Sequence, residues 1–182
     1  MNERIFISAD SSCDLSGELL RRFDIRTQPM TITLGNETFL DGDHFTPEDM
    51  YRRYRAEGIL PLTSAPSVQD YVEFFRAMRT VGGPVVHLTI SSELSASYNT
   101  ARLAAEELDG VYVVDSRQLS TGVGLLAIEG AECRDRGMDA AAIAEHLAAS
   151  PTRWRPALCW TRWSSCARGG AAATSPPWGP IC

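Results

Sequence analysis

A chain of 182 residues with 44% hydrophobic and 22% charged residues can bury one sizeable core and a small appendage, as average soluble domains do. Its net charge of −6, with arginines scattered among acids, excludes the clustered basic surface that nucleic-acid binding requires. The apolar run that opens the chain stops at Asp10, too short for a signal-peptide core, and no stretch reaches membrane-spanning length, so a cytoplasmic protein with no integral membrane segment is expected.

Residues 1–150 alternate apolar runs with amphipathic segments, the pattern of strands and helices in a mostly parallel sheet. RIFISAD reads as a first strand ending at Asp10. Leu15, Leu19, Leu20 and Phe23 then recur at helical spacing. Ile25 to Leu34 alternates like one strand. Thr46-Pro47 is an N-cap and N1 pairing that starts a helix stopping at Gly58. A second helix start falls within Ser64 to Ser67, ahead of a stripe of Tyr71, Phe74, Phe75 and Met78 that ends at Gly82-Gly83. PVVHLTI is a buried strand, after which Ser91-Ser92 are expected to open a helix running to about Leu108. VYVVD is the next strand, followed by helices from Leu119 to about Arg136 and from Asp139 to Ala149. The expected fold is a three-layer α/β/α arrangement around a mostly parallel sheet.

From 151 to 182 the texture changes. All four tryptophans and three of the five cysteines fall there, no acid follows Glu145, and no period of 3.6 or 2.0 is visible. The five cysteines form no CxxC pair and no cluster with histidine, so no zinc or redox site is indicated and free thiols are expected.

Several hydroxyl-rich loops occupy comparable places: Asp10-Ser11-Ser12 after the first strand, Thr63-Ser64 before a helix, Ser91-Ser92 between strand and helix, and Asp115-Ser116 after another strand. In an open parallel sheet the loops at the carboxyl ends of strands converge on one crevice, and helix N-termini there favour a carboxylate or phosphate. The alternative for each hydroxyl is a plain helix cap. A nucleophile lacks partners, because none of His44, His87 and His146 has a suitable setting and His87 lies in an apolar strand pattern, as a packed core histidine would. Asp10 and Asp14 could form a carboxylate dyad, although Asp14 reads more simply as a residue of the helix's first turn. Gly122 to Ala127 matches GxGxxA, but SRQLST separates it from the strand, which favours close helix packing over dinucleotide binding.

The ordered series IxxDSSxDL (Ile7 to Leu15), TSxPS (Thr63 to Ser67), ISSxLSxSY (Ile90 to Tyr98) and VVDSxxxSxGxG (Val113 to Gly124) resembles the DegV family, over residues 4 to about 156. That resemblance implies a long-chain fatty acid as bound ligand, with no other cofactor and no metal. Its carboxyl group would be held by Thr63 and Ser92, with Asp10, Ser11, Ser64, Ser91 and Ser95 in support. It also implies a carrier and not an enzyme, whose partner is the catalytic subunit of a fatty acid kinase. Ala96 departs from the glycine usual at that position. The alternatives are a small α/β enzyme acting on a carboxylate or phosphate, and a truncated fragment without function.

Family members continue into a second domain near a segment like SFVLDTLEFLRKGG, which this chain lacks in frame. Tryptophan has a single codon, and Cys159 to Arg168 can be encoded so that the neighbouring frame spells LDTLEFLRK. Residues 157–182 are therefore expected to be an out-of-frame remnant of that domain, with an ordinary low-complexity tail as the alternative. A carrier lacking that domain should expose apolar surface and self-associate.

Overall fold

The computed structural model describes residues 4–42 and 46–150. His44, the four tryptophans and the tail expected to be out of frame lie outside the described residues.

Four strands, β1 (Phe6–Asp10), β2 (Ile25–Gln28), β6 (Val85–Thr89) and β7 (Val111–Asp115), form one parallel sheet in the order β2-β1-β6-β7. The register sets Ile7 opposite both Ile25 and Val86. Every residue of β1 and β6 is buried, which is why both read as continuous apolar runs without alternation. Successive side chains nevertheless go to opposite faces. Ile7, Ala9, Val86, Leu88 and Val114 pack against α5 (Thr121–Asp135) and α6 (Ala140–Ala149), with Leu20 and Phe23 of α1 (Gly17–Phe23) beside them. Phe6 and Val85 pack on the other side against Tyr71, Val72, Phe75 and Met78 of α3 (Val68–Val81) and Ala101 and Ala104 of α4 (Ser97–Ala105). The expected three layers are present.

The expected single strand from Ile25 to Leu34 is two strands in two sheets. Pro29 has no N–H to continue a ladder, and the N–H of Met30 donates instead to Ser11 Oγ at 3.0 Å. Beyond that break, β3 (Thr31–Leu34), β4 (Glu37–Leu40) and β5 (Leu62–Ser64) form an antiparallel sheet in the order β4-β3-β5, absent from the sequence reading. The α2 helix (Pro47–Glu57) belongs to the same excursion; it starts at a Thr46/Asp49 capping box and stops at Gly58 in the left-handed region, as the sequence indicates.

The helix expected from Ser91-Ser92 begins at Ser97. The Ser91 carbonyl accepts from the N–H groups of Leu94 and Ser95, a tight turn with the local look of a helix start, but the N–H of Ser92 goes to Asp115. Gly124 sits where the sequence suggested close packing. A Cβ there would lie 2.6 Å from the Cys13 carbonyl, so α5 presses on the turn after β1.

Candidate ligand-binding site

The chain runs from β1 to β2 on one side and then returns past β1 to β6 on the other. The carboxyl ends of β1 and β6 therefore mark the point where the winding reverses, the place where open α/β sheets leave a crevice. Asp10 fills its floor. The fully buried Asp10 carboxylate accepts from the Tyr71 hydroxyl at 2.5 Å, from the Ile90 N–H at 3.0 Å, and lies 3.3 Å from His87 Nε2. His87 Nδ1 in turn lies 3.0 Å from Ser8 Oγ. The core histidine expected from sequence is thus hydrogen-bonded on both ring nitrogens. Burial, with the Asp10 charge adding to it, pushes the Tyr71 phenol far above the ordinary tyrosine range and keeps it a donor.

With its oxygens turned to Tyr71, His87 and Ile90, Asp10 supports the site from below. Its bond to the Ile90 N–H fixes the entry to the loop that carries Ser91 and Ser92. It forms no dyad with Asp14, which is exposed, lies in the left-handed region and accepts from the Ser120 hydroxyl. The cap of α1 is Ser16.

The loop after β6 is tied equally to the loop after β7. Ser92 donates its hydroxyl to Asp115 Oδ2 at 2.6 Å and its N–H to Oδ1 at 3.1 Å, while the Arg117 N–H adds a third bond to Oδ1 at 3.0 Å. The Ser91 N–H donates to the Gln118 carbonyl at 3.0 Å, and Ser91 Oγ accepts from the Glu93 N–H. Ser95 Oγ lies 2.9 Å from Ser97 Oγ and accepts from the Ser97 N–H. Ser116 closes its own turn through the Gln118 N–H. None of Ser91, Ser92 and Ser116 caps a helix.

Thr63 and Ser64 are placed differently from the expectation. They lie on β5 in the antiparallel sheet, exposed, with the α3 cap falling to Ser67. Ser64 stands opposite Thr31 and Thr63 opposite Ile32. One residue before Thr31, Met30 is anchored to the crevice by the Ser11 hydroxyl and by the Ser97 hydroxyl, which approaches its sulfur at 3.9 Å. This anchor carries the small sheet beside the loops of the large one.

Asp115 and Ser12 are visible in sequence as members of the Asp115-Ser116 and Asp10-Ser11-Ser12 loops, but the sequence reading gives neither a role of its own. Asp115 orients Ser92. The oxygen of Ser12, in the same turn as Ser11, is buried without a hydrogen-bond partner, whereas Ser11 is engaged with Met30. A cleft of about 420 Å3 lined by Arg4, Pro84, Arg134 and Met138 opens at the opposite, amino ends of β1 and β6, away from these hydroxyls. Among the described residues, no three metal-ligating side chains are grouped.

Fold and site together define an open, doubly wound α/β domain with an antiparallel appendage and hydroxyls gathered at the winding reversal. The chain belongs to the DegV family: the model described as "Uncharacterised protein, DegV family" matches residues 4–170, beyond the point at 156 where the motif resemblance ends. A DegV domain-containing protein of Clostridium perfringens is 35% identical over 138 residues, 75% of this chain and 50% of the relative. A Thermus thermophilus DegV family protein solved for its fatty acid binding superposes with a TM-score of 0.74 at 32% identity, over 82% of this chain and 54% of that one. A stearic acid-binding protein from Eubacterium ventriosum superposes with a TM-score of 0.70 at 31% identity, over 79% and 52%. The chain thus spans about half the length of the relatives it matches. Among the described residues no helix is long and apolar enough to cross a membrane.

Proposed function

We propose that this chain contributes to holding a long-chain fatty acid by its carboxyl group, as a cytoplasmic carrier and not as a catalyst. The observation that supports this reading most is the convergence of hydroxyls at the winding reversal, in a fold shared with the fatty-acid-binding proteins of T. thermophilus and E. ventriosum. Thr63 from the small sheet and Ser92 from the loop after β6 are the proposed head-group ligands, with Ser11, Ser64, Ser91 and Ser95 in support and Asp10 beneath. Half-exposed Leu94 and Leu119 in the same loops offer apolar surface to the first methylenes, each worth about 0.8 kcal/mol when buried. A fatty acid kinase catalytic subunit is the proposed partner, receiving the carboxyl group for conversion to an acyl phosphate.

Mass spectrometry of lipid extracted from the purified chain tests the proposal. Bound fatty acid is expected, with the amount falling about tenfold in Thr63→Ala and in Ser92→Ala as hydrogen bonds of about 1.4 kcal/mol are lost. A chain free of fatty acid after exposure to a mixed lipid extract overturns it.

A further inference from the structure

We infer that Asp115 makes this site select a neutral head group that donates a hydrogen bond, so that a fatty acid is held as the protonated acid and not as the carboxylate. The inference rests on the carrier reading and deepens it.

The argument begins with the proton count at Ser92. A serine hydroxyl has one proton to donate. In Ser92 that proton points to Asp115 Oδ2 at 2.6 Å, and the residue's N–H is also directed to Asp115, at 3.1 Å. The Arg117 N–H reaches the same Oδ1 at 3.0 Å. Asp115 therefore accepts three hydrogen bonds, as a carboxylate does, and leaves Ser92 Oγ with lone pairs alone. A ligand carboxylate also offers only lone pairs, and it would bring a second negative charge to within one hydroxyl of Asp115. A carboxylic acid fits instead. Its O–H donates to Ser92 Oγ, extending the line to Asp115, and its carbonyl oxygen accepts from the Thr63 hydroxyl.

The charged and titratable groups on the surrounding segments do not reverse this balance. Glu93 follows Ser92 in its own loop, Asp14 stands across from Ser120, and Tyr98 lies in the first turn of α4. Beneath the loop Asp10 is engaged by Tyr71, His87 and Ile90. Arg117 is the cation nearest in sequence to Asp115, and its side chain is exposed. Like charges close together favour the protonated form of one of them.

The test loads the full chain with palmitic acid carrying carbon-13 in its carboxyl group and follows that signal by NMR against pH. The bound carboxyl is expected to titrate about one pH unit or more above the ordinary carboxyl range, and to return towards that range in Asp115→Asn. Competition supplies a readout that needs no variant. Hexadecanol, neutral with a proton to donate, should displace palmitate at least about tenfold better than hexadecane sulfonate, a permanent anion with the same chain. A bound carboxyl that titrates within or below the ordinary range, or a sulfonate that competes as well as the alcohol, overturns the inference and leaves the carrier reading intact. If no labelled acid binds at any pH, the carrier reading falls and this inference with it.

Discussion

The Tyr71 hydroxyl and the Asp10 carboxylate, 61 positions apart in sequence, meet at 2.5 Å with no part of either residue exposed. Their bond ties α3 to the end of β1 directly under the Ser91-Ser92 loop. Tyr71→Phe removes one bond to a charged group and should cost about 2 kcal/mol. Asp10→Ala leaves the Tyr71 hydroxyl, the His87 ring and the Ile90 N–H without their shared partner and should cost about 3–5 kcal/mol. Urea denaturation of both variants measures this. Equal, small losses would show that Asp10 is not the hub.

The same pair sets a pH dependence. The folded state raises the Tyr71 phenol above its usual 10.0, first through burial and then through the Asp10 charge. The proton is therefore kept in the folded chain when the unfolded chain loses it. The stabilisation is fully present below pH 10.0 and declines as pH rises past it, at up to about 1.4 kcal/mol per pH unit. Burial raises the Cys13 thiol in the same sense, with its decline starting near 9.0. Stability measured from neutral to strongly alkaline pH should fall more steeply for the wild type than for Tyr71→Phe; parallel curves would refute the assignment.

Two glycines separate packing from backbone strain. Gly124→Ala puts a methyl group 2.6 Å from the Cys13 carbonyl and 2.9 Å from Leu15, an overpacking expected to cost about 2–3 kcal/mol. Gly137→Ala meets no atom within 4 Å, but its φ of +86° disfavours a side chain, for about 1–2 kcal/mol. Thermal melting should rank Gly124→Ala as the more harmful.

Leu62 of β5 and Leu60 in the connection leading into it are exposed apolar side chains, at 71% and 68% exposure. Surface of this kind favours association. Sedimentation velocity should find the chain self-associating at high concentration, and the double variant Leu60→Ser/Leu62→Ser less so. Unchanged association would move the contact elsewhere.

The proposed shift of frame after Pro156 is checked on DNA. Sequencing the source gene should show one base missing relative to an intact DegV reading frame near that codon. A gene without such a gap removes the out-of-frame explanation of residues 157–182.

The parallel core was legible because β1, β6 and β7 are compact apolar runs, and because Thr46, Ser67 and Asp139 mark helix starts with caps that the structure contains. β4 and β5 were illegible. ETFL and LTS are short and mostly exposed, and their pairing is decided by β3 and not by any period of their own. The start of α4 was misplaced for a related reason. The Ser91 carbonyl closes one helical turn to Ser95, but Ser92 within it is tied to Asp115, 23 positions downstream, and the regular helix begins only at Ser97; no local pattern carries that information. The hydroxyl loops were visible in sequence, but which oxygens donate and which accept depends on such distant partners. Asp10 likewise looked like a loop residue beside a ligand until its three partners from α3 and β6 and the residue after it placed it on the floor.

Met30 gives the two sheets a common adjustment. Its N–H and sulfur are held by Ser11 and Ser97 of the main domain, and its carbonyl by the Asp41 N–H on the returning side of the small sheet. An unbranched thioether with three rotatable bonds adapts to many settings at low cost. The strand that pairs with Thr63 and Ser64 is thus tethered to the loops of the main sheet through one residue, by two backbone bonds and one pliable side chain. A β-branched residue at position 30 would keep the backbone bond to Ser11 and lose the sulfur contact with Ser97, leaving the small sheet with one tie fewer to the main one.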